Sequence, residues 1–262
     1  MKYTVAELYI YPIKSLAGIS VESAKAEEMG FENDRRWMLI DDNNQFITQR
    51  KHPVLSQFYP KIDNGQIRIT YQDKHHEFRI EENIGFSILS NVWDDSSEVV
   101  EVSTISSNWF TAILGFTCKL VKIRNAGDRK HTSRRLNVDF NVSLADGYPY
   151  LVIGTESLSF LNEKLEEKVS ISRFRPNIVV RTNIAHEEDD FEIFTINAVG
   201  FKNVKPCGRC IMVNNDPLTG KVKREPLKTL STYRSVNNSV LFGTNLICVN
   251  SGVVNVGHIL VF

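Results

Sequence analysis

Residues 37–48 of the chain are Trp37-Met38-Leu39-Ile40-Asp41-Asp42-Asn43-Asn44-Gln45-Phe46-Ile47-Thr48. Two apolar segments, 37–40 and 45–48, flank four Asp and Asn residues, which tolerate the backbone geometry of tight turns. The stretch therefore predicts a β-hairpin, and it suggests a chain built largely from short strands.

Similar short apolar segments recur between turn signals along the rest of the chain, a spacing that favours sheets curled into barrels. The other predicted strands are 3–11, 66–71, 99–102, 119–123, 178–180, 193–199, 211–213, 246–249 and 258–262. A helix is predicted over 155–168, capped by Thr155, and a shorter one from Ser107 to a stop at Gly115. We expect a mostly β (α+β) fold with two packed halves that meet near residue 120.

Composition excludes several classes of function. Lys plus Arg equals Asp plus Glu at 31 each, so no overall field attracts nucleic acid or an acidic membrane. The N-terminus shows neither a signal peptide nor a membrane span, and we expect a cytoplasmic location. The four cysteines (Cys118, Cys207, Cys210, Cys248) would be reduced there, which makes thiol or metal chemistry the relevant question.

Residues 204–210 hold the densest chemical signal, Val204-Lys205-Pro206-Cys207-Gly208-Arg209-Cys210. Basic residues beside a thiol favour the thiolate, which is the form that ligates soft metals. A zinc site usually takes two cysteine pairs, whereas Cys118 and Cys248 are isolated and better suited to apolar packing. A thioredoxin-like redox pair would open a helix, whereas this motif leads into the predicted strand 211–213. The pattern favours a metal-ligating thiolate and leaves the zinc and redox readings open.

Other motifs follow one another in a fixed order along nearly the whole chain. They are Tyr11-Pro12-Ile13-Lys14-Ser15, Asp34-Arg35-Arg36-Trp37, Phe174-Arg175-Pro176-Asn177, the 204–210 motif, Asp216-Pro217-Leu218-Thr219-Gly220, Glu225-Pro226-Leu227, Tyr233-Arg234 and Leu241-Phe242-Gly243. In this set the chain resembles the MOSC proteins with a preceding β-barrel region, the group that contains the mitochondrial amidoxime-reducing component and its bacterial relatives. The resemblance implies an N-terminal MOSC-type β-barrel domain, 1–120, packed against a MOSC β-barrel domain, 121–262.

The resemblance also implies a molybdenum–pterin cofactor (molybdopterin) and a set of residues that hold it. Cys207 would be the protein ligand of molybdenum and the catalytic centre, because a soft thiolate suits a sulfur-rich metal site. Planar and point-charge donors would hold the pterin and its phosphate. The matching positions are Lys14, Ser15, Arg35, Arg175 and Asn177, with Lys205 adding charge near the metal.

Two further segments are candidates for binding roles. Thr155 and Ser157, at the start of the predicted helix, would help hold the phosphate, although a simple capping turn explains them as well. The simplest interpretation of the basic run 128–135 is a solvated loop. The alternative is that it borders the site or binds an acidic electron-donor protein.

We therefore expect a molybdenum-dependent oxidoreductase, independent of pyridoxal phosphate, that reduces N-hydroxylated small molecules from N–OH to N–H. The chain has no Gly-rich dinucleotide fingerprint and lacks the cysteine set of an iron–sulfur cluster. Electrons would come from a separate donor, a ferredoxin-like protein, a flavoprotein or a small haem protein, with no nucleic acid or membrane as partner. The alternative is a cofactor carrier or sulfur-handling (sulfurtransferase-like) module without turnover of its own.

Overall fold

The computed structural model describes residues 2–125, 127–133 and 137–262, and strands dominate them. The strands up to residue 123 are β1 Thr4–Ile10, β2 Ile19–Val21, β3 Ser23–Glu27, β4 Gly30–Phe31, β5 Trp37–Ile40, β6 Tyr59–Asp63, β7 Gln66–Tyr71, β8 Lys74–Arg79, β9 Ser87–Val92, β10 Asp95–Glu101 and β11 Lys119–Ile123. The later strands are β12 Lys130–Ser133, β13 Val138–Asn141, β14 Tyr150–Gly154, β15 Ile178–Arg181, β16 Ile193–Ile196, β17 Val199–Arg209, β18 Ser235–Val236, β19 Ser239–Cys248, β20 Gly252–Asn255 and β21 Leu260–Val261.

Helices are few and short. The α-helices are α1 Thr104–Leu114, α2 Thr155–Glu163 and α3 Leu227–Ser231, and 3₁₀ turns span Pro53–Gln57, Ile171–Arg173, Glu187–Asp190 and Ile211–Asn214. The Ser103 hydroxyl caps α1 by accepting a hydrogen bond from the Ser106 N–H, and Gly115 ends the helix at φ 77°. None of the helices in the described part of the chain has the length and apolar character needed to cross a bilayer.

A ring of seven strands forms the larger barrel of the described chain. The order is β1-β15-β14-β19-β17-β16-β21, and all neighbours are antiparallel except β14 and β15. A bridge between Thr4 and Ile259 joins the last strand to the first, with hydrogen bonds from Val5 N to His258 O (2.9 Å) and from Leu260 N to Tyr3 O (3.0 Å). The N-terminal strand therefore closes a barrel whose other strands all follow residue 149.

Alternation of side chains along these strands fills the barrel interior. Leu8, Val152, Val180, Phe201 and Leu246 are all fully or almost fully buried in one continuous core. Each such side chain contributes roughly 1.5–3 kcal/mol relative to an exposed position. This core gives the ring a rigid wall, on which site residues can be held in place.

A second core lies among the strands between residues 37 and 123. The sheet β5-β11-β10-β9 and the sheet β6-β7-β8 enclose it together with α1, whose Phe110 is fully buried. The pairing of β20 with β3 and of β15 with β1 ties the two halves together. The division at residues 120 and 121 stays a prediction, because strands on either side of it share sheets.

Some predicted elements differ from the observed ones. The chain reverses after β5 as expected, but 45–48 forms only single bridges, such as Ile40 with Phe46, because Phe46 and Thr48 turn toward a cavity. The helix predicted over 155–168 ends at Glu163, although Leu165 and Val169 are still buried beyond it. The predicted strand 211–213 was wrong and is a 3₁₀ turn. The predicted start of α1 at Ser107 was three residues late.

Candidate functional site

A cavity of about 370 Å³ opens where β17 meets the loops that precede β5 and β15. Its volume lies within the usual range of small-molecule and cofactor sites. Six cationic side chains and one carboxylate line it: Lys14, Arg35, Arg50, Arg175, Lys205, Arg209 and Asp146. Cys207 provides a thiol in the same wall. The excess of positive charge makes the cavity suited to an anionic ligand.

Irregular pairing of β17 with β19 places Cys207. Pro206 pairs with Thr244 and Gly208 with Leu241, so Cys207 lies in a register shift between them. Opposite it, Gly243 adopts φ +70°, and a Cβ there would lie 2.6 Å from the Val152 carbonyl oxygen. Such bulges re-aim side chains beside functional sites. The half-buried Cys207 therefore faces the cavity and is left out of regular strand pairing.

A buried carboxylate, Asp34, joins the two N-terminal motifs. Asp34 is fully buried and accepts hydrogen bonds from Tyr11 N (2.7 Å) and Arg35 Nη1 (2.6 Å). Two backbone hydrogen bonds connect the same segments, from Arg35 N to Tyr11 O (2.8 Å) and from Lys14 N to Trp37 O (2.7 Å). Lys14, Ser15 and Arg35 are thereby held on one side of the cavity.

Two guanidinium groups enclose the ring of Tyr11. The Cζ atoms of Arg35 and Arg175 each lie 4.3 Å from the ring centroid. Ser15 (φ 70°), Arg35 (φ 49°) and Arg175 (φ 55°) all adopt the left-handed backbone region. Non-glycine residues visit this region at a cost, and such strain concentrates at functional sites. Three of the predicted anchors therefore share a strained backbone as well as a common cavity.

Arg175 and Arg209 have no carboxylate partner among the described residues. Arg175 donates to the Leu16 carbonyl (2.5 Å), while burial, reinforced by the charge of Arg35, lowers the pKa of Arg175 to about 10. Arg209 donates to the carbonyls of Phe242 (2.8 Å) and Phe174 (3.0 Å), and its Nη2 is buried without an acceptor. Buried charges of this kind are costly unless a ligand neutralises them.

Lys14 is the most deeply buried amine of the cavity wall. It donates to the Leu144 carbonyl (2.8 Å) and pairs with Asp146. Burial lowers the pKa of Lys14 to about 8, although Asp146 acts in the opposite direction. Burial alone would raise the pKa of Asp146, but the Lys14 charge outweighs this effect and lowers it.

Arg129 shapes the loop that provides Asp146. Its fully buried guanidinium donates to the carbonyls of Ser143 (2.8 Å), Ala145 and Asp146 and pairs with Asp95 at 2.9 Å. The expectation of a solvated loop over 128–135 was therefore wrong for this residue. Arg134 and Arg135 of the same basic run lie outside the described residues.

Seven of the nine predicted site residues line the one cavity, and two do not. Those that do are Lys14, Ser15, Arg35, Arg175, Asn177, Lys205 and Cys207. Thr155 and Ser157 are not among the lining residues: Ser157 Oγ donates to the Glu188 carboxylate at 2.7 Å, and Thr155 Oγ1 accepts from Thr182 N. Because an internal carboxylate already engages this helix start, the predicted phosphate-binding role of Thr155 and Ser157 has no support in the geometry.

Asn177 takes a different position from the charged anchors. Its Oδ1 accepts from Arg35 Nη1 (3.0 Å) and Leu151 N (3.3 Å), and its Nδ2 donates to the Tyr9 carbonyl (3.3 Å). Its polar groups thus join β1, the start of β14 and Arg35. Asn177 orients Arg35, and its direct contact with a ligand stays a prediction.

Sequence reasoning gave no binding role to several residues of the wall. Arg209 lies inside a quoted motif, so its neighbours carried a signal for it. Arg50 and Asp146 lie in unremarkable loop sequence, and nothing in the pattern marks them. Only the fold brings them into the same cavity wall as Lys14.

These features define a class of protein: a β-barrel protein with a cation-lined cavity whose wall includes the thiols of Cys207 and Cys210. The chain belongs to the MOSC family, because residues 2–117 match its MOSC N-terminal beta barrel domain and residues 139–261 match its MOSC domain. The mostly β barrel fold expected from the sequence is confirmed.

The chain is similar over most of its length to several characterised proteins. It is 32% identical to the bovine mitochondrial amidoxime reducing component 2, covering 88% of this chain and 72% of the relative. It is 29% identical to the human mitochondrial amidoxime-reducing component 1, covering 97% and 81%. It is 30% identical to the Arabidopsis thaliana molybdenum cofactor sulfurase, covering 90% of this chain but only 32% of that longer protein.

Proposed function

We propose that this protein binds a molybdenum–pterin cofactor with Cys207 as the metal ligand and reduces N-hydroxylated small molecules. The observation that carries the proposal is the placement of Cys207 on a bulge of β17, inside a cavity lined by six cations and one carboxylate. Relatives named as amidoxime reducing components, at about 30% identity, support the reductive chemistry.

The donor set fits such a group. The thiol of Cys207, placed in the bulge of β17, suits a metal whose other sulfur ligands come from the pterin. Arg175 has no carboxylate partner among the described residues, and Nη2 of Arg209 is buried without an acceptor, as expected where an anionic ligand completes the site. Lys14, Ser15, Arg35 and Lys205 would provide the remaining contacts to the pterin and its phosphate.

When bound, the cofactor supplies a two-electron reduction that converts N–OH and two protons to N–H and water. The chain contributes binding and orientation. Cys207 offers its thiolate, and Arg35 and Arg175 hold a negatively charged ligand from either side of Tyr11. Lys14 keeps a proton on Nζ at neutral pH, because its lowered pKa of about 8 still lies above 7.

Electrons would reach the site from a separate protein, whether ferredoxin-like, a flavoprotein or a small haem protein. This partner remains a proposal, as does the cytoplasmic location, since the animal relatives are named mitochondrial. The substrate class rests on the names of these relatives and on the cavity size.

The test is metal and pterin analysis of protein made in a host that synthesises the cofactor. We expect close to one molybdenum per chain, a pterin fluorescence signature, and conversion of benzamidoxime to benzamidine with an artificial reductant. With NADH as the only reductant there should be no product. Absence of molybdenum, or rapid turnover with NADH alone, would contradict the proposal.

A second candidate is a cofactor carrier or sulfur-handling module, which the similarity to a molybdenum cofactor sulfurase favours. Bound molybdenum without any reductase activity would support this candidate. Activity with an artificial reductant would support the first.

A further inference from the structure

The rim of the cavity contains a guanidinium that neither the fold nor the proposed cofactor anchoring uses. Arg50 lines the cavity and donates no hydrogen bond within residues 2–125, 127–133 and 137–262. Its Cζ lies 4.1 Å from the ring of Trp93, which is 49% exposed. Lys14 is buried in the cavity wall, whereas Arg50 is half-buried.

Trp93 is held in place at an energetic cost. It lies in the two-residue connection between β9 and β10, where Asp95 pairs with Val92, and its φ is 60°. Glycine usually occupies such a position, and a bulky residue there is a rare exception. The indole Nε1 donates to Asp146 Oδ1 (3.3 Å), and Phe46 packs edge-on against the ring at 5.4 Å. These contacts fix a flat aromatic surface at the mouth of the cavity.

The carboxylate of Asp146, which lines the same cavity, does not pair with Arg50. Asp146 is engaged by Lys14 and by the Trp93 indole and forms no ion pair with Arg50. Stacking on an aromatic ring leaves the edge of a guanidinium free for a planar anion, which it binds with two parallel hydrogen bonds. The rim therefore offers a site for a carboxylate.

We propose that Arg50, supported by Trp93, binds the carboxylate of the substrate, so that the preferred substrates are N-hydroxylated compounds that also bear a carboxylate. This inference rests on the proposed reductase function and names a substrate class for it. It makes Arg50 a specificity-determining residue, with Trp93 as a positioning residue.

Two probes of nearly equal shape test the inference: 4-carboxybenzamidoxime and its neutral analogue 4-carbamoylbenzamidoxime. Their dissociation constants are measured by calorimetry on cofactor-loaded protein at low salt, alongside kcat/KM for both. We expect the wild-type protein to bind the carboxylate about 10-fold more tightly, the lower end for a charge-assisted contact because Arg50 is partly exposed.

Three variants separate the roles. Arg50→Gln should reduce the preference to within about 2-fold while molybdenum content stays unchanged. Trp93→Leu should also weaken the preference for the carboxylate probe. Without the ring, the Arg50 guanidinium is free to rotate, so KM for the carboxylate probe should change more than kcat. Lys51→Gln removes a neighbouring exposed charge that does not line the cavity, and it should leave the preference intact.

Equal binding of the two probes by the wild-type protein would overturn the inference. So would an equal effect of Lys51→Gln, or loss of molybdenum in Arg50→Gln, which would make Arg50 a cofactor anchor. Because binding is measured without turnover, the carboxylate site and the reductase function can be contradicted independently. Discrimination without reduction contradicts only the reductase function, and reduction without discrimination contradicts only the carboxylate site.

Discussion

Some arginines of the cavity have no acidic partner, and this distinguishes them from the buried and half-buried arginines elsewhere in the described chain. Elsewhere in the described part of the chain, buried or half-buried arginines have acidic partners, as Arg129 has Asp95 and Arg173 has Asp216. Arg175 has only a backbone carbonyl and a shared aromatic ring. A residue kept in this state lowers the stability of the empty protein and gains a partner when an anion binds.

Replacing Arg175 by Met should separate stability from binding. The apolar side chain removes a buried charge and loses one hydrogen bond, so we expect the unfolding free energy of the cofactor-free protein to change by no more than about 1 kcal/mol. Molybdenum content after expression should fall by 10-fold or more, as a charge-assisted contact is roughly 1.5–3 kcal/mol. Thermal unfolding and metal analysis of the same preparation provide the check. Full metal content in this variant would exclude Arg175 as an anchor.

Anion binding to the cofactor-free cavity should weaken as pH rises above about 8, because the buried Lys14 amine then loses its proton. Sulfate is the suitable probe, since its charge is constant over this range. A bound anion stabilises the ammonium, so the midpoint should lie at or above 8. In Lys14→Arg the guanidinium stays charged, and the affinity measured by calorimetry should hold to higher pH. Identical pH profiles for the two proteins would contradict this assignment.

The sequence pointed to Cys207 and to several cations of the cavity wall, but it missed Arg50, Asp146 and the residues that support the site. Cys207, Arg35 and Arg175 stand in motifs whose residue types match a ligand chemistry. Asp146 and Arg129 act through carbonyls and charges contributed by distant segments, so their partners cannot be read from local sequence. At Ser157 the error is the reverse, a predicted ligand contact that the geometry does not support. A helix start offers hydrogen-bond donors to any anion, and in this fold the Glu188 carboxylate is the anion that binds there.

At the scale of elements, the decisive feature is the irregular ladder between β17 and β19. Two register shifts lie within it, beside Val204 and beside Cys207. The sequence predicted strands at 193–199 and 211–213 and none over 200–209, where β17 and both shifts lie. A bulge depends on the partner strand and leaves little trace in the sequence of the bulged strand. The strand predicted after the motif, 211–213, failed for a related reason: buried Val213 packs as a 3₁₀ turn, and three apolar residues cannot distinguish the two.

The pattern also missed the apolar, fully buried strand Tyr150–Gly154 and several polar strands. Lys74–Arg79 lies at the edge of its sheet and buries only Phe78 fully, so its sequence lacks the alternation that marks a strand. The long apolar segments at 66–71 and 119–123 were confirmed with the predicted bounds.

Gly243→Ala tests whether the bulge needs the close approach of the Gly243 backbone to Val152 and Ile153. Gly65→Ala is its matched control. Both glycines have similar φ, +70° and +74°, so both variants incur the same backbone cost of roughly 1 kcal/mol. Only at Gly243 would the added Cβ meet Val152 O and Ile153, both at 2.6 Å, whereas nothing lies within 4 Å at Gly65. Denaturant unfolding should show the larger loss for Gly243→Ala, by about 1–3 kcal/mol, together with reduced molybdenum content. Equal losses would mean that the bulge accommodates the extra atom.

Strands from both ends of the chain form one barrel, and residues from both halves of the chain line one cavity. β1 completes a ring of later strands, and Lys14 and Arg35 from the first half face Arg175 and Cys207 from the second. The sequence predicted two packed halves, yet the shared strands could not be foreseen, because strand pairing over more than 170 residues is set by tertiary packing.

A fragment of residues 121–262 should therefore fail to fold cooperatively. It lacks the buried Val5, Leu8 and Ile10, each contributing roughly 1.5–3 kcal/mol, and it exposes the edge of β15. Thermal unfolding followed by circular dichroism compares it with the full chain. A sharp transition for the fragment would show that the second half is an independent domain.

The central claim, a molybdenum site with Cys207 as its protein ligand, is tested most directly by comparing Cys207→Ser with Cys210→Ser. Molybdenum content and benzamidoxime reduction with an artificial reductant are measured for both. Both cysteines line the cavity, but Cys207 is half-buried in the bulge of β17, whereas Cys210 is exposed just after the strand ends. A serine hydroxyl replaces a soft thiolate poorly, so Cys207→Ser should lose turnover completely while Cys210→Ser keeps most of it. Equal loss in both variants, or activity retained in Cys207→Ser, would contradict the account.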